Sequence, residues 1–452
     1  MTPVESRAAI SLAGIFSLRM LGLFLILPVF ALYAEELVGV TPVLVGLAIG
    51  VYGLTQALLQ IPFGMLSDHI GRKPVIIAGL FIFALGSVVA AQADTIWGVI
   101  IGRAIQGSGA IAAAVMALAA DLTQEHNRLK VMAVIGMSIG MAFALSLILG
   151  PIINVWIGVP GIFWLTAVLA LAGVGITVFL VPDPKKSVFH RDTEPVPGQF
   201  GRVLANPDLL RLDLGILVLH MGLTAVFLVL PLALRDTAGL DSASHWKIYF
   251  PVLMLSVLLM IPFVVVAEGR RKIKQVFLIS IAGMVIAQFA FFTLFQSLWG
   301  LALALLLYFT AFNVLEATLP SLVAKMAPAE SKGTAMGVYS TSQFSGAFLG
   351  GLLGGWIHTH YGMEAVFLFA GVAMGVWLLV AFSMSEPSYL NSYLLRVGAV
   401  DAEQARDIES RLLSLNGVGE AVVVADDETA YLKIDPKTID MATLDELSAA
   451  RG

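Results

Sequence analysis

Long apolar stretches constrain this chain more than any other feature of its sequence. A helix needs roughly 20 apolar residues to cross the hydrocarbon core of a bilayer, and we count twelve such stretches in the 452 residues. Because 58% of the residues are hydrophobic and 13% are charged, the composition excludes a soluble single-domain protein and a nucleic-acid-binding protein. The sequence therefore predicts an all-α membrane protein with twelve transmembrane helices, at approximately residues 9–33, 43–66, 74–93, 96–120, 129–152, 161–182, 209–234, 246–268, 273–294, 298–325, 333–357 and 364–384.

The basic residues between these stretches predict the orientation of the chain. Only Arg235 and Lys247 fall in loops on one side of the membrane, whereas the N-terminus and the remaining loop Lys and Arg residues fall on the other side. Cytoplasmic loops are enriched in Lys and Arg. Both termini are therefore predicted to be cytoplasmic.

An internal repeat divides the predicted helices six and six. Residues 58–63 read LLQIPF and residues 258–263 read LLMIPF, with a polar, proline-rich segment between the two copies. Duplicated helical bundles are typical of transporters, whose substrates bind between the repeats near the middle of the membrane. We therefore predict a six-helix bundle at 1–182, a linker at 183–208, a second bundle at 209–384 and a cytoplasmic domain at 389–452.

The cytoplasmic domain differs in composition from the membrane body, since it holds 12 acidic and 6 basic residues. Its pattern predicts a βαββα order that is similar to a ferredoxin-like domain without the fourth strand. The first strand would then be an unpaired edge, which offers a route to self-association. The predicted elements are a strand at 393–397, a helix at 402–415, a hairpin of 421–425 with 429–434, and a short helix at 443–450.

Three segments of the first bundle resemble motifs of the major facilitator superfamily. Residues 64–74 read GMLSDHIGRKP, residues 103–109 read RAIQGSG, and Gly140 precedes the pair Gly150-Pro151. The resemblance covers residues 8–384 and implies a secondary transporter of the drug/proton antiporter type in a bacterial inner membrane. His69 departs from the family pattern, in which arginine usually follows the aspartate.

The resemblance also implies that the first motif is a conformational latch. Its members are Gly64, Asp68, Gly71, Arg72 and Asp121. Asp68 is expected at the N-terminus of the eleventh helix, near Gly333 and Thr334, where the helix dipole favours a carboxylate. Arg72 is expected to pair with Asp121, and the latch is expected to stabilise the outward-facing state. The alternative is that the loop only anchors the helices on the cytoplasmic side, because exposed ion pairs contribute little energy.

Ionisable residues inside the second bundle are candidates for function because they are costly in lipid. Asn313 and Glu316 lie three residues apart in one helix, and Glu316 is the predicted proton carrier. His220 and Asp213 lie along one stripe of another helix. We expect His220 to face the same cavity, whereas Asp213 is near the cytoplasmic end and is expected to be solvated.

The first bundle supplies two further candidates, Arg19 and Arg103. Arg19 needs a carboxylate or carbonyl partner that the sequence does not identify. The resemblance associates the segment around Arg103 with proton coupling, but this side chain is close enough to the outer end to extend to the interface instead. Uncharged polar residues either line the predicted cavity or form hydrogen bonds between helices, namely Tyr52, Gln56, Gln60 and Gln343.

Two function classes remain after these observations. The sequence has no glycine loop ending in Lys and Ser or Thr, so an ion gradient rather than ATP is the predicted energy source. Mostly apolar cavity walls favour a small amphipathic substrate, with protons as coupling ions and membrane lipids as surroundings. No enzyme activity, cofactor or metal is predicted, and His358 and His360 are spaced poorly for a metal on a helix. The alternative is a transporter-like membrane sensor or receptor that signals through the C-terminal domain.

Overall fold

The computed structural model describes residues 1–184, 194–435 and 437–439. Helices account for most of residues 3–382, in agreement with the apolar stretches. In chain order they are α1 (Pro3–Phe24), α2 (Phe30–Tyr33), α3 (Pro42–Ile70), α4 (Arg72–Ala91), α5 (Ile96–Ser108), α6 (Ala112–Asp121), α7 (Glu125–Phe179), α8 (Phe200–Leu204), α9 (Pro207–Leu232), α10 (Trp246–Gly269), α11 (Ile273–Leu294), α12 (Leu298–Met326), α13 (Lys332–Tyr361) and α14 (Met363–Phe382).

Hydroxyl side chains, proline and glycine determine where several helices begin, bend and end. At the start of α3, the Thr41 hydroxyl accepts a hydrogen bond from the Leu44 amide, and Pro42 takes the first helical position. Gly71 separates α3 from α4 with a φ of 96°, which favours glycine. Within the 55 residues of α7, Gly158 has non-helical backbone angles and is followed by Pro160, so the helix is kinked there.

Ten helical segments of the described chain are long and apolar enough to cross a membrane. The sequence predicts twelve, and the difference has two sources. The long helix α7 covers two of the predicted stretches in one continuous element. In addition, α13 is not among the ten, because glycine and polar side chains interrupt its apolar sequence.

The two ends of the helical bundle differ in charge. One end carries Arg72 and Lys73 at the α3–α4 turn and Arg270, Arg271 and Lys272 at the α10–α11 turn. We call this the basic end. The other end, which carries the loops after α2 and α9, is called the opposite end.

Glycine residues let α13 touch helices of both bundles through its backbone. On one face, a Cβ atom added to Gly351 would lie 2.2 Å from the carbonyl oxygen of Gly46 in α3. On another face, a Cβ atom added to Gly350 would lie 2.2 Å from the carbonyl oxygen of Met221 in α9. Such approach is possible only where no side chain intervenes. Helix α13 is therefore clamped between the first and second bundles.

The C-terminal domain forms a small sheet covered by one helix. Its elements are β1 (Asn391–Arg396), α15 (Ala402–Leu413), β2 (Val418–Val424) and β3 (Thr429–Ile434). The sheet is antiparallel in the order β1-β3-β2, so β1 is an edge strand as predicted. Three of the predicted elements are present with bounds shifted by a few residues. The predicted helix at 443–450 lies outside the described residues.

This domain docks on turns of the second bundle at the basic end. The Lys433 ammonium donates to the Lys325 carbonyl at 2.6 Å, and Arg271 pairs with Asp435 at 2.7 Å. The Ala329 amide donates to the Glu420 carboxylate at 3.1 Å. The domain therefore contacts both the α10–α11 and the α12–α13 turns.

Replacing Gly351 with alanine should destabilise the bundle, because the new methyl group would overlap the backbone of α3. Overpacking of a tight interface typically costs about 1–3 kcal/mol. The measurement is the thermal unfolding midpoint of the purified protein in detergent. Gly375→Ala is the matched control, since a Cβ atom at Gly375 of α14 meets nothing within 4 Å. Equal midpoints for the two variants would contradict the proposed packing constraint.

Candidate functional site

A group of polar side chains from three helices lies inside the second bundle. Glu316 of α12 approaches His220 of α9, with 3.5 Å between Oε1 and Nε2. The Gln343 side-chain amide nitrogen of α13 is 2.8 Å from the same imidazole nitrogen. Asn313 lies nearby in sequence but donates to Ser256 of α10 at 3.1 Å. The structure thus joins Glu316, His220 and Gln343, and directs Asn313 to a different neighbour.

Aromatic rings surround this group on the side of the first bundle. Phe312 packs against the His220 ring with 6.0 Å between centroids. Phe143 of α7, in the first bundle, stacks on Phe312 and meets Phe309 edge-on. The wall between the two bundles is therefore apolar at this level.

Arg19 is fully buried inside the first bundle. Its guanidinium donates to Gln56 Oε1 at 2.8 Å and to the Gly109 carbonyl at 2.9 Å. The Tyr52 and Phe83 rings lie 5.9 and 5.4 Å from the guanidinium carbon. An amide, a carbonyl and two aromatic faces thus supply the partners that the sequence did not identify.

Arg103 is also buried, so the alternative in which its side chain extends to the interface is wrong. It donates to the side chain of Gln106 at 2.9 Å and to the backbone carbonyl of Ala48 at 3.3 Å. Its guanidinium carbon lies 5.1 Å from the centroid of the Tyr52 ring. The neighbouring helix α3 provides backbone carbonyl acceptors inside the bundle, so the guanidinium does not have to reach interfacial water for its hydrogen bonds.

The remaining predicted residues divide between the two bundles. Tyr52 is 3.5 Å from Gln56 through its hydroxyl, so both belong to the group around Arg19. Gln60 instead donates to Thr341 of α13 at 2.9 Å and joins the bundles. Among the residues that the structure describes, no hydrogen bond or ion pair links Glu316 to either arginine. The predicted cavity residues therefore form one network around Arg19 and another around Glu316, and Gln60 and Asn313 belong to neither.

Asp213 is buried and not solvated as the sequence predicted, because it lies on a face of α9 that neighbouring helices cover. His360 is exposed, and His358 is partly exposed. Within the described ranges, no group of three His, Asp or Glu side chains has the arrangement of a metal site.

Arg72 is the centre of a cluster of carboxylates at the basic end. It bonds Asp68, lies 3.5 Å from Asp121, and pairs with Glu194 of the linker at 2.8 Å. Gly71 forms the turn before it, and Gly64 faces Ala113 of α6 at a distance too short for a side chain. Sequence reasoning missed Glu194, since an isolated acidic residue in a polar linker carries no pattern.

The linker occupies the place expected for Asp68 at the start of α13. The Val196 amide donates to the Thr334 hydroxyl at 2.8 Å, and that hydroxyl lies 3.4 Å from Gln199 Oε1. Asp68 bonds Arg72 and Glu194 instead. His69 is exposed, with Nδ1 2.9 Å from the Met65 carbonyl. We call residues 194–199 the strap, because they connect Arg72 of the first bundle to α13 of the second.

Burial raises the pKa of Glu194 to about 8. A hydrogen bond with the Asp68 carboxyl acts in the same direction, and the nearby Arg72 guanidinium opposes both. In the docked strap, Glu194 therefore holds a proton more readily than an ordinary glutamate.

An ion pair joins the bundles at the opposite end. The Arg235 guanidinium donates to both carboxylate oxygens of Glu35 at 2.7 and 2.9 Å. This bidentate geometry fixes the orientation of the two groups and adds to their electrostatic attraction. The bundles are thus directly bonded at the opposite end, whereas at the basic end the strap lies between Arg72 and α13.

Comparisons with known proteins agree with this architecture. The family model described as Major Facilitator Superfamily matches residues 12–351 and 258–396. The chain is 48% identical to the Inner membrane transport protein YajR of Escherichia coli over 438 residues, which cover 97% of this chain and 96% of that protein. It is 26% identical over 346 residues to the Multidrug resistance protein MdtH of Yersinia enterocolitica, covering 75% of this chain and 84% of that one.

Solved structures show the same fold. A bacterial homolog of the human lysosomal transporter Spinster, in an inward-facing and occupied conformation, matches with a TM-score of 0.70 at 13% identity, over 86% of this chain and 98% of that one. The nucleoside transporter NupG matches with a TM-score of 0.65 at 16% identity, over 83% and 99% of the two chains. The relatives are named as transporters and not as enzymes. The chain belongs to the major facilitator superfamily and is a membrane transporter.

Proposed function

We propose that this transporter exports small amphipathic molecules from bacteria in exchange for protons, by alternating access across the inner membrane. The observation that carries the proposal is the Glu316–His220 contact inside a helical bundle of this superfamily. An inner membrane transport protein and a multidrug resistance protein are among the relatives.

The proposal includes twelve crossings with both termini in the cytoplasm. At about 1.5 Å per residue, the 55 residues of α7 extend well over twice the thickness of the hydrocarbon core, which is enough for two crossings with a kink between them. The 30 residues of α13 are long enough for one more. The basic end would face the cytoplasm, since most loop Lys and Arg residues lie there. The sheet order β1-β3-β2, with α15 connecting β1 to β2, supports a ferredoxin-like domain.

Glu316 is the proposed proton carrier. One of its oxygens is buried beside His220, yet the side chain keeps 32% of its surface exposed. A carboxyl group placed between packed helices and an accessible space can exchange protons while its surroundings control its charge. His220 and Gln343 supply polar neighbours, and the rings of Phe143, Phe309 and Phe312 supply an apolar wall for an amphipathic substrate.

Replacing Glu316 with glutamine should abolish transport driven by a pH gradient, because an amide cannot take up or release a proton in this range. The measurement is uptake of ethidium and related amphipathic dyes into proteoliposomes with an imposed pH gradient. Dye binding should persist, since the side-chain volume and polarity are nearly unchanged. Glu364→Gln, in the first turn of α14, is the control and should transport normally.

Wild-type flux in the Glu316→Gln protein would place the proton carrier elsewhere. A wild-type protein that moves none of the dyes under a pH gradient would contradict the exporter proposal itself.

We further propose that the strap and the latch compete for the start of α13. In the present conformation the strap holds Thr334, and Asp68 is engaged with Arg72 and Glu194. Release of the strap would free Asp68 to approach the α13 N-terminus, whose dipole favours a carboxylate. In the resulting outward-facing state, the latch of Gly64, Asp68, Gly71, Arg72 and Asp121 would close the basic end.

Strap docking should weaken as the pH rises from 4.5 to about 8, because docking raises the pKa of Glu194 across that interval. Below the interval Glu194 is protonated whether docked or free, so docking is strongest there. Above it, docking requires a buried carboxylate beside Asp68. The measurement is hydrogen exchange at the Val196 amide, corrected for the intrinsic effect of pH on exchange.

Glu194→Gln should keep the strap docked across the same interval, since the amide imitates the protonated acid. Asp183→Asn is the matched control, because Asp183 is an exposed acid of the same linker that pairs with Lys73. It should retain the pH dependence of the wild-type protein. Exchange at Val196 that is independent of pH in the wild type would refute this account of the strap.

The C-terminal domain is proposed to regulate transport by its docking on the second bundle. It contacts the α10–α11 and α12–α13 turns, and the second of these leads directly into α13. The same contacts favour the second candidate function, a membrane sensor whose output is this domain. Ethidium flux that depends on the pH gradient distinguishes the transporter from the sensor.

A further inference from the structure

A second carboxylic acid is buried in the second bundle. Asp213 of α9 is 6% exposed, and its Oδ2 atom has no hydrogen-bond partner among the described residues. It precedes His220 by two helical turns, so it lies roughly 10 Å closer to the basic end. The group around Glu316 does not include it.

A phenol connects this acid electrostatically to Glu316. Tyr339 of α13 is 4% exposed, and its hydroxyl also has no hydrogen-bond partner among the described residues. It lies one helical turn before Gln343, which contacts His220. Its hydroxyl is within electrostatic reach of both the Glu316 and the Asp213 carboxyl groups. One buried phenol therefore lies within electrostatic reach of both acids.

We propose that Asp213 is a second proton-binding site of the transporter, coupled to Glu316 through Tyr339. This inference rests on the proposed proton coupling and adds a site to it. Binding forms one O–H bond on the Asp213 carboxylate, with the proton taken from water at the basic end, and release reverses that step. Tyr339 keeps its own proton and can donate it in a hydrogen bond to whichever acid is ionised.

The neighbouring groups support a proton as the ligand of Asp213. The titratable side chains that face this region are His220 of α9, Glu316 and Tyr308 of α12, and Tyr339 of α13. In residues 1–184, 194–435 and 437–439, no Lys or Arg forms an ion pair with Asp213, since the adjacent Arg211 pairs with Asp208. Burying an isolated carboxylate costs free energy. A bound proton neutralises the charge and needs less space than any other cation.

The test counts buried carboxyl groups by infrared spectroscopy of the full-length protein in lipid nanodiscs. A pH titration should show two carbonyl bands of protonated, water-excluded carboxyl groups in the wild type. Asp213→Asn should remove one band and Glu316→Gln the other. Proton uptake on a pH step, measured with pyranine in weak buffer, should fall by one proton per protein in each variant.

Two phenol variants test the coupling. Tyr339→Phe should shift both carbonyl bands, because it removes the hydroxyl that reaches both acids. Tyr308→Phe is the matched control, since this buried phenol also lacks a hydrogen-bond partner but is within electrostatic reach of Glu316 only. It should leave the Asp213 band in place. If Asp213→Asn does not fold, Asp213→Glu keeps the acid and should move the same band without removing it.

The outcomes separate this inference from the proposed function. If the bands and the proton uptake of Asp213→Asn match the wild type, Asp213 is not a proton site. Where Asp213→Glu serves as the substitute, carbonyl bands that do not move give the same conclusion. Equal effects of Tyr339→Phe and Tyr308→Phe on the Asp213 band would contradict the proposed coupling through Tyr339. If only Glu316→Gln leaves its band unchanged, the assignment of Glu316 fails and the Asp213 site stands.

Discussion

Backbone contact through glycine is the constraint on which the arrangement of polar groups depends. Helix α13 belongs to the second bundle, yet Gly351 meets α3 as closely as Gly350 meets α9. Polar side chains of α13 consequently reach partners on all sides: Thr334 holds the strap, Thr341 accepts from Gln60, and Gln343 contacts His220. A bulkier residue at the contact would separate these helices, so packing and polar chemistry are linked in one helix.

The buried arginines Arg19 and Arg103 lie in the first bundle, apart from the acids Glu316 and Asp213 of the second bundle. Arg19 and Arg103 donate hydrogen bonds to amide and carbonyl oxygens of the first bundle. The acids Glu316 and Asp213 belong to the second bundle, and in the described part of the chain neither pairs with a Lys or Arg side chain. A buried ion pair between the bundles would hold both charges in one protonation state. Separation of the acids from the arginines is consistent with the proposed role of the acids as proton sites.

Much of this organisation could be predicted from the sequence, because long-range repetition and apolar length leave clear patterns. The superfamily was indicated by residues 64–74 and is confirmed by the family match. Side-chain pairs such as Arg72 with Asp121 follow from a motif. A partner that is a backbone carbonyl, such as that of Gly109 for Arg19, cannot be identified from the sequence, because every residue has a backbone carbonyl. The burial of Asp213 and the pairing of Glu194 with Arg72 depend on tertiary packing, which spacing along one helix does not reveal.

Distances between the bundles, measured at both ends by electron–electron resonance, test alternating access most directly. The chain has no cysteine, so labels at introduced cysteines are unambiguous. Val38 with Asp241 reports on the opposite end, and Ile70 with Arg270 reports on the basic end; all four residues are exposed. As the pH rises and the strap is released, the opposite-end distance should lengthen while the basic-end distance shortens. Distances that change in the same direction, or that do not respond to pH, would contradict the account.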